Sequence, residues 1–177
     1  MNSTIDKDEI KIVLAMHGSP PTDFPGDEMA FFYGVHLQVE HDPYCVDAET
    51  KKRANDIEHK MKNWPRTAEN DPYYTSGIEI GKNIEKVTGV KTFVGFNEFC
   101  NPTIQDALLE AIKLKPKKIL VTTTMVTPGG EHQEKDIPEA VDEIAQKYPE
   151  IEITYVWPYD IPAVAKFIGN HLMKNVT

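Results

Sequence analysis

A chain of 177 residues is long enough for one domain with its own core, and 40% hydrophobic and 27% charged residues are ordinary for a globular protein. The formal net charge of −9, with no basic run, argues against nucleic-acid or anionic-membrane partners. Cys45 and Cys100 form no CxxC pair, the polar start Met1–Ile10 has no apolar signal core, and no apolar run approaches membrane-spanning length, so the expectation is a cytoplasmic protein.

Ile10 to Met16 (IKIVLAM) is an apolar run closed by His17-Gly18-Ser19-Pro20-Pro21, which suits a strand buried on both faces. Residues 20–72 then break the pattern. This stretch holds Pro20, Pro21, Pro25, Pro43 and Pro65 before Pro72 itself, together with Phe24, Phe31, Phe32, Tyr33, Tyr44 and Trp64. A polar helix is predicted within it, from Val46 to Asn63. The aromatic residues suggest an ordered lid, dimer arm or partner surface; the plainer reading is an insertion packed on the sheet edge.

Asp71 to Val87 has helical periodicity and stops at Gly89. Lys91 to Phe96 (KTFVGF) reads as a strand. Asn101-Pro102 opens a helix from Thr103 to Leu114. Lys118 to Thr124 (KILVTTT) is a β-branched strand. Ile137 to Tyr148 is a helix with Asp136 as its expected N-cap and Pro138 in the first turn. Ile151 to Val156 is the fourth strand, and Ile161 to Met173, capped by Asp160, is a closing helix. Strands alternating with helices predict a small doubly wound α/β fold. It has a mostly parallel four-stranded sheet with helices on both faces. One domain spans 1–177, with 20–72 as a partly helical insertion after strand one.

In open parallel sheets, ligands bind beyond the carboxyl ends of the strands. Those ends carry His17-Gly18-Ser19, Asn97-Glu98-Phe99, the stretch Thr127 to His132, and Trp157-Pro158-Tyr159. His17, His132 and Glu98 are therefore the candidate site. Imidazole and carboxylate suit first-row divalent metals and also acid–base work near neutral pH. Taken singly, each has a plainer reading: a solvated loop histidine, or, for Glu98, a cap for the helix near Pro102. His36 and His41, with Glu40, Asp42 and Cys45 nearby, match no known ligand pattern. Gly129-Gly130 could cradle an anion at a helix start. No Walker A, GxGxxG or GxSxG pattern is present, and Met16 stands where a histidine phosphatase has arginine.

Three segments resemble one family. Leu14-Ala15-Met16-His17-Gly18-Ser19, Phe96-Asn97-Glu98-Phe99-Cys100-Asn101-Pro102-Thr103-Ile104, and Pro128-Gly129-Gly130-Glu131-His132-Gln133-Glu134-Lys135-Asp136-Ile137-Pro138 are similar to motifs of the CbiX-type sirohydrochlorin chelatases, relatives of ferrochelatase. The resemblance covers roughly 10–19 and 73–173. It implies a chelatase-like fold and ATP-independent insertion of Co²⁺, Ni²⁺ or Fe²⁺ into a tetrapyrrole, in cobalamin or porphyrin biosynthesis, with no nucleotide. It further implies that His17 and His132 bind metal and accept pyrrole protons, that Glu98 assists, and that the chain pairs as a homodimer.

The chain also departs from the family pattern. Pro20-Pro21 replaces the arginine common after "HGS", and the short members lack residues 20–72. Sirohydrochlorin carries eight carboxylates, so basic residues should line the cleft; the candidates are Lys135, Lys51, Lys52, Arg53 and Arg66. Two other readings stay open: a non-catalytic metal or tetrapyrrole binding protein on the same fold, and a small hydrolase using His17 as base.

Overall fold

The computed structural model describes residues 6–42 and 44–176, apart from the Glu40 side chain. The first five residues of the polar start, Pro43 and the Glu40 carboxylate therefore lie outside the described residues. A short turn over Lys7–Glu9 leads into β1 (Ile10–Met16). Then follow α1 (Gly26–His41), α2 (Ala48–Lys62), α3 (Pro72–Thr88), β2 (Thr92–Phe96), α4 (Ile104–Ile112) and β3 (Lys118–Thr123). A π turn (His132–Asp136) runs directly into α5 (Ile137–Lys147), followed by β4 (Glu152–Tyr155) and α6 (Ile161–Met173).

The helix ends follow local chemistry. Asp47, Asp71 and Asp160 accept hydrogen bonds from the backbone N–H groups of Thr50, Tyr74 and Ala163. α3 ends at Gly89 in the left-handed region, as its sequence suggests. Thr103 starts α4 in a reciprocal capping box with Asp106. Glu98 is therefore not needed as that helix's cap.

The strand order is β2-β1-β3-β4, and every pair is parallel. β1 is central and buried on both faces except at its first residue. On one face Val13, Ala15, Ile119 and Val121 meet Ala107, Leu108 and Ala111 of α4 and Ile137, Val141 and Ile144 of α5. On the other, Leu14, Met16 and Phe96 meet Tyr74, Ile78 and Ile84 of α3. Gly81 lets α3 sit close there, since a Cβ at that position would lie 2.4 Å from Val94 Cγ2. The connection leaving β1 goes to one side of the sheet and that leaving β3 to the other. The switch point, where such sheets bind ligands, lies between the carboxyl ends of β1 and β3.

The insertion contains two helices where one was expected. α1 was missed because its aromatic residues leave no single apolar stripe. Phe32 packs with Phe24, Ile57 and Met61, and Val35 with Val46 and Ala54, so α1 and α2 share a small core of their own.

Candidate metal centre

The carboxyl end of β1 is fastened to that of β2 beyond the last paired residues. Asn97 N–H donates to Met16 O and Glu98 N–H donates to His17 O, both at 2.9 Å. Gly18 makes this approach feasible. Its φ is +103°, and a Cβ there would lie 2.0 Å from Glu98 O. Phe99 also holds a positive φ of 62°, a costly conformation for an aromatic residue.

Arg66 stabilises these turns from below. Its guanidinium donates to Ser19 O at 2.7 Å, Met61 O at 2.9 Å, Phe99 O at 2.5 Å and Asp71 Oδ2 at 2.6 Å. The Arg66 and Asp71 side chains are 5% and 0% exposed. Arg66 is thus an internal tie between the insertion and the strand ends. The sequence-based expectation that it could meet substrate carboxylates is corrected.

Above this base, His17 and His132 come together across 115 positions. Their Nε2 atoms are 2.9 Å apart, and the rings meet edge to face with centroids at 4.2 Å. Each ring's other nitrogen has a partner: His17 Nδ1 lies 2.9 Å from Gly18 O, and His132 Nδ1 lies 2.7 Å from Asp136 Oδ2. A carbonyl and a carboxylate can only accept, so both Nδ1 atoms carry the proton. In neutral rings the two Nε2 lone pairs then face each other. That arrangement calls for a shared proton or a cation.

Glu98 Oε1 lies 3.9 Å from His132 Nδ1. Ligand atoms of Glu98, His132 and Asp136 all fall within 4.8 Å of one another, and all three residues are partly exposed. The structure therefore brings His17, His132 and Glu98 together and adds Asp136. Asp136 has helical backbone angles and no capping bond, which corrects its expected role as N-cap of α5. Asn97 Nδ2 also donates to Asp136 Oδ2, at 3.2 Å. The four-residue spacing from His132 to Asp136 was the available signal.

A cavity of 260 Å³ opens beside Glu98, lined by Phe32 and His36 of α1, Glu58 of α2, and Asn97 and Phe99. Phe99 stacks toward His17 with centroids at 6.3 Å and reaches Tyr33 at 6.1 Å. Burial, and next the Glu98 charge, push the Tyr33 hydroxyl above its ordinary pKa. The expected basic lining is otherwise engaged. Lys135 pairs with Glu131, Lys52 with Asp56, and Arg53 lies 4.0 Å over the Phe31 ring. Gly129 N–H donates to Glu134 Oε1, so the glycine pair serves its own loop rather than an anion. Ser19 Oγ donates to Pro20 O and makes no Ser–His pair.

A histidine pair backed by carboxylates, at the switch point of a parallel sheet, offers the donor set that first-row divalent metals take, on an α/β fold. The CbiX family model matches residues 68–170, and the chain belongs to that family. No curated protein matches the sequence. Among solved structures, a CbiX protein from Marinobacter aquaeolei VT8, assigned to cobalamin (vitamin B12) biosynthesis, shares the fold with a TM-score of 0.52 and 13% identity, over 94% of this chain and 97% of that one. The sirohydrochlorin chelatase SirB from Bacillus subtilis subspecies spizizenii, in complex with cobalt, aligns at a TM-score of 0.48 and 20% identity. That alignment covers 94% of this chain and 50% of SirB. SirB from Bacillus subtilis with Fe³⁺ aligns at a TM-score of 0.48 and 18% identity, over 95% and 48%. The chain thus spans about half the length of the SirB structures. Among the described residues, no helix is long and apolar enough to cross a membrane.

Proposed function

We propose that the chain inserts a divalent metal ion, Co²⁺, Ni²⁺ or Fe²⁺, into a tetrapyrrole such as sirohydrochlorin, without ATP. The observation that carries this reading is the convergence of two Nε2 lone pairs whose Nδ1 partners are already committed. Metal–imidazole bonds of about 2.05 Å at a tetrahedral angle separate the two nitrogens by about 3.3 Å. The observed 2.9 Å needs to open by only a few tenths of an ångström to admit the ion.

Insertion releases two pyrrole N–H protons as the ion enters the macrocycle. Once the ion has left, the histidine pair holds one proton between its Nε2 atoms, and Glu98 takes the second. Asp136 keeps His132 in the tautomer that presents Nε2. The acidic surroundings favour gathering a cation over gripping a polycarboxylate, which suits a metal-delivering site and a less acidic macrocycle. In this reading α1 and α2 form the lid of a single domain. The protein works as a homodimer in a reducing cytosol, consistent with two free thiols, Cys45 and Cys100.

The test is to mix the protein with sirohydrochlorin, and separately with a less acidic porphyrinoid, and each of the three ions, and follow the absorbance change. Acceleration over the spontaneous rate, lost in both His17→Ala and His132→Ala, is the expected outcome. No acceleration with any pair overturns the reading. A spectral shift without turnover assigns the fold a binding role instead. Full activity in both variants overturns the site assignment.

A further inference from the structure

We propose that His36 of α1 and Glu58 of α2 form an outer station for a divalent cation, on a path that runs between the two insertion helices to Glu98. The proposal rests on the metal-delivery reading and deepens it by naming how the ion arrives. Its test follows cobalt binding without any tetrapyrrole, so its failure is distinguishable from failure of the chelatase reading.

Two cavities meet at this pair. The inner one, of 260 Å³, reaches Asn97 and Glu98 beyond the end of β2. The outer one, of 180 Å³, lies between α1 and α2, where Val35, Val39, Lys51, Ala54 and Asn55 line it. Phe32, His36 and Glu58 border both cavities. They stand where one space gives way to the other, so an ion entering between the helices passes them before it meets Glu98.

The sequence places the pair there. Phe32 and His36 lie one helical turn apart, and their rings stack at 5.7 Å with planes 23° apart, so a buried neighbour orients the imidazole. Glu58 follows Ile57, which is buried with Phe32 in the core between α1 and α2. The two donors thus sit on facing helices at the rim of that core. Lys62 pairs with Glu58 Oε1 at 2.7 Å, which leaves Oε2 as the ligand atom and moderates the grip on a cation. A waypoint needs such moderation, since the ion must bind well enough to enter and loosely enough to leave.

Size and charge choose the occupant. A space of 260 Å³ equals a sphere roughly 8 Å across, and sites for organic ligands begin at about 300 Å³, so a macrocycle does not fit. A hexa-aqua divalent ion, with waters about 2.1 Å from the metal, spans about 7 Å and does fit. No lysine or arginine lines the inner cavity, while Glu58 and Glu98 both do. Phe32 and Phe99 supply the remaining walls, edge to face at 6.4 Å, and offer no ligand atom. Imidazole nitrogen and carboxylate oxygen suit the same first-row ions as the inner pair. Glu98 Oε1, at 3.9 Å from His132 Nδ1, is the step from the cavity to the histidine pair.

The experiment uses the full chain carrying His17→Ala and His132→Ala, which leaves the outer station. Histidine ring signals are followed by NMR as Co²⁺ is added, with His36 identified through His36→Gln. The paramagnetic ion is expected to shift and broaden His36 before His41, His59 and His171, and adding Glu58→Gln is expected to raise the cobalt concentration needed about tenfold. With the inner pair intact, Glu58→Gln is expected to slow cobalt loading in stopped flow about tenfold and to leave the final affinity within about twofold. His36 responding no sooner than the other histidines, a response indifferent to Glu58→Gln, or an unchanged loading rate overturns the proposal.

Discussion

Asp136→Asn and Asp136→Ala probe the support of the metal pair. Asp136 Oδ2 is 2.7 Å from His132 Nδ1, while Glu98 Oε1 at 3.9 Å is too distant to replace it. Asparagine can offer a carbonyl to the same N–H, so the tautomer survives and only the charge is lost. Alanine removes both and frees the ring to rotate or change tautomer. Loss of such a supporting carboxylate costs about 10- to 100-fold in metal affinity, or about 1.4 to 2.7 kcal/mol. The asparagine variant should lie near the lower figure and the alanine variant near the upper. Titration calorimetry with Co²⁺ measures this, with far-UV circular dichroism as the folding control. If both variants bind within about twofold of wild type, Asp136 does not support the centre and the reasoning is refuted.

Three further outcomes follow from the packing around the site. Arg66→Met leaves the fully buried Asp71 carboxylate unpaired and should cost about 3 to 5 kcal/mol in urea unfolding, much of it recovered in Arg66→Met/Asp71→Leu; a single-variant cost under about 1 kcal/mol contradicts the internal tie. Gly18→Ala drives a Cβ into Glu98 O at a positive φ and should cost at least about 2 kcal/mol, lowering metal affinity as well; an unchanged unfolding midpoint contradicts it. Burial pushes the Cys100 thiol up to about 11, opposed by the nearby Arg66 charge. Between about pH 9 and 11 the unfolded chain therefore gives up a proton that the folded chain keeps. The stability linked to this thiol is intact below that window and is lost across it, by about 2 to 3 kcal/mol. Wild type should lose that much more than Cys100→Ala over the window, and parallel pH profiles contradict it.

Much of the fold was legible because the sheet is parallel. IKIVLAM is apolar over its length, as a strand covered on both sides must be, and His17-Gly18 follows it directly. KILVTTT is legible instead from its β-branched residues, with alternate positions buried. The strand-end rule then brought His17, His132 and Glu98 together without any contact being known. What escaped were residues whose sequence signal had a more common meaning. Asp136 precedes Ile137-Pro138 and so reads as a helix cap, but the π turn carries the helical path through it and turns its carboxylate to His132. Arg66 reads as a surface cation, and only the tertiary structure places four acceptors around it. α1 spreads Phe31, Phe32 and Tyr33 around the helix, because one side meets α2 while another faces Phe99.

The most direct test of the central claim is a single-turnover transfer. The protein is loaded with one equivalent of Co²⁺, mixed rapidly with sirohydrochlorin, and followed by absorbance beside free Co²⁺ at the same concentration. If His17 and His132 hold the ion for delivery, protein-bound cobalt enters the macrocycle faster than free cobalt, and His17→Ala removes the advantage. Slower entry from the loaded protein than from solution means that the pair sequesters the ion, and contradicts the account.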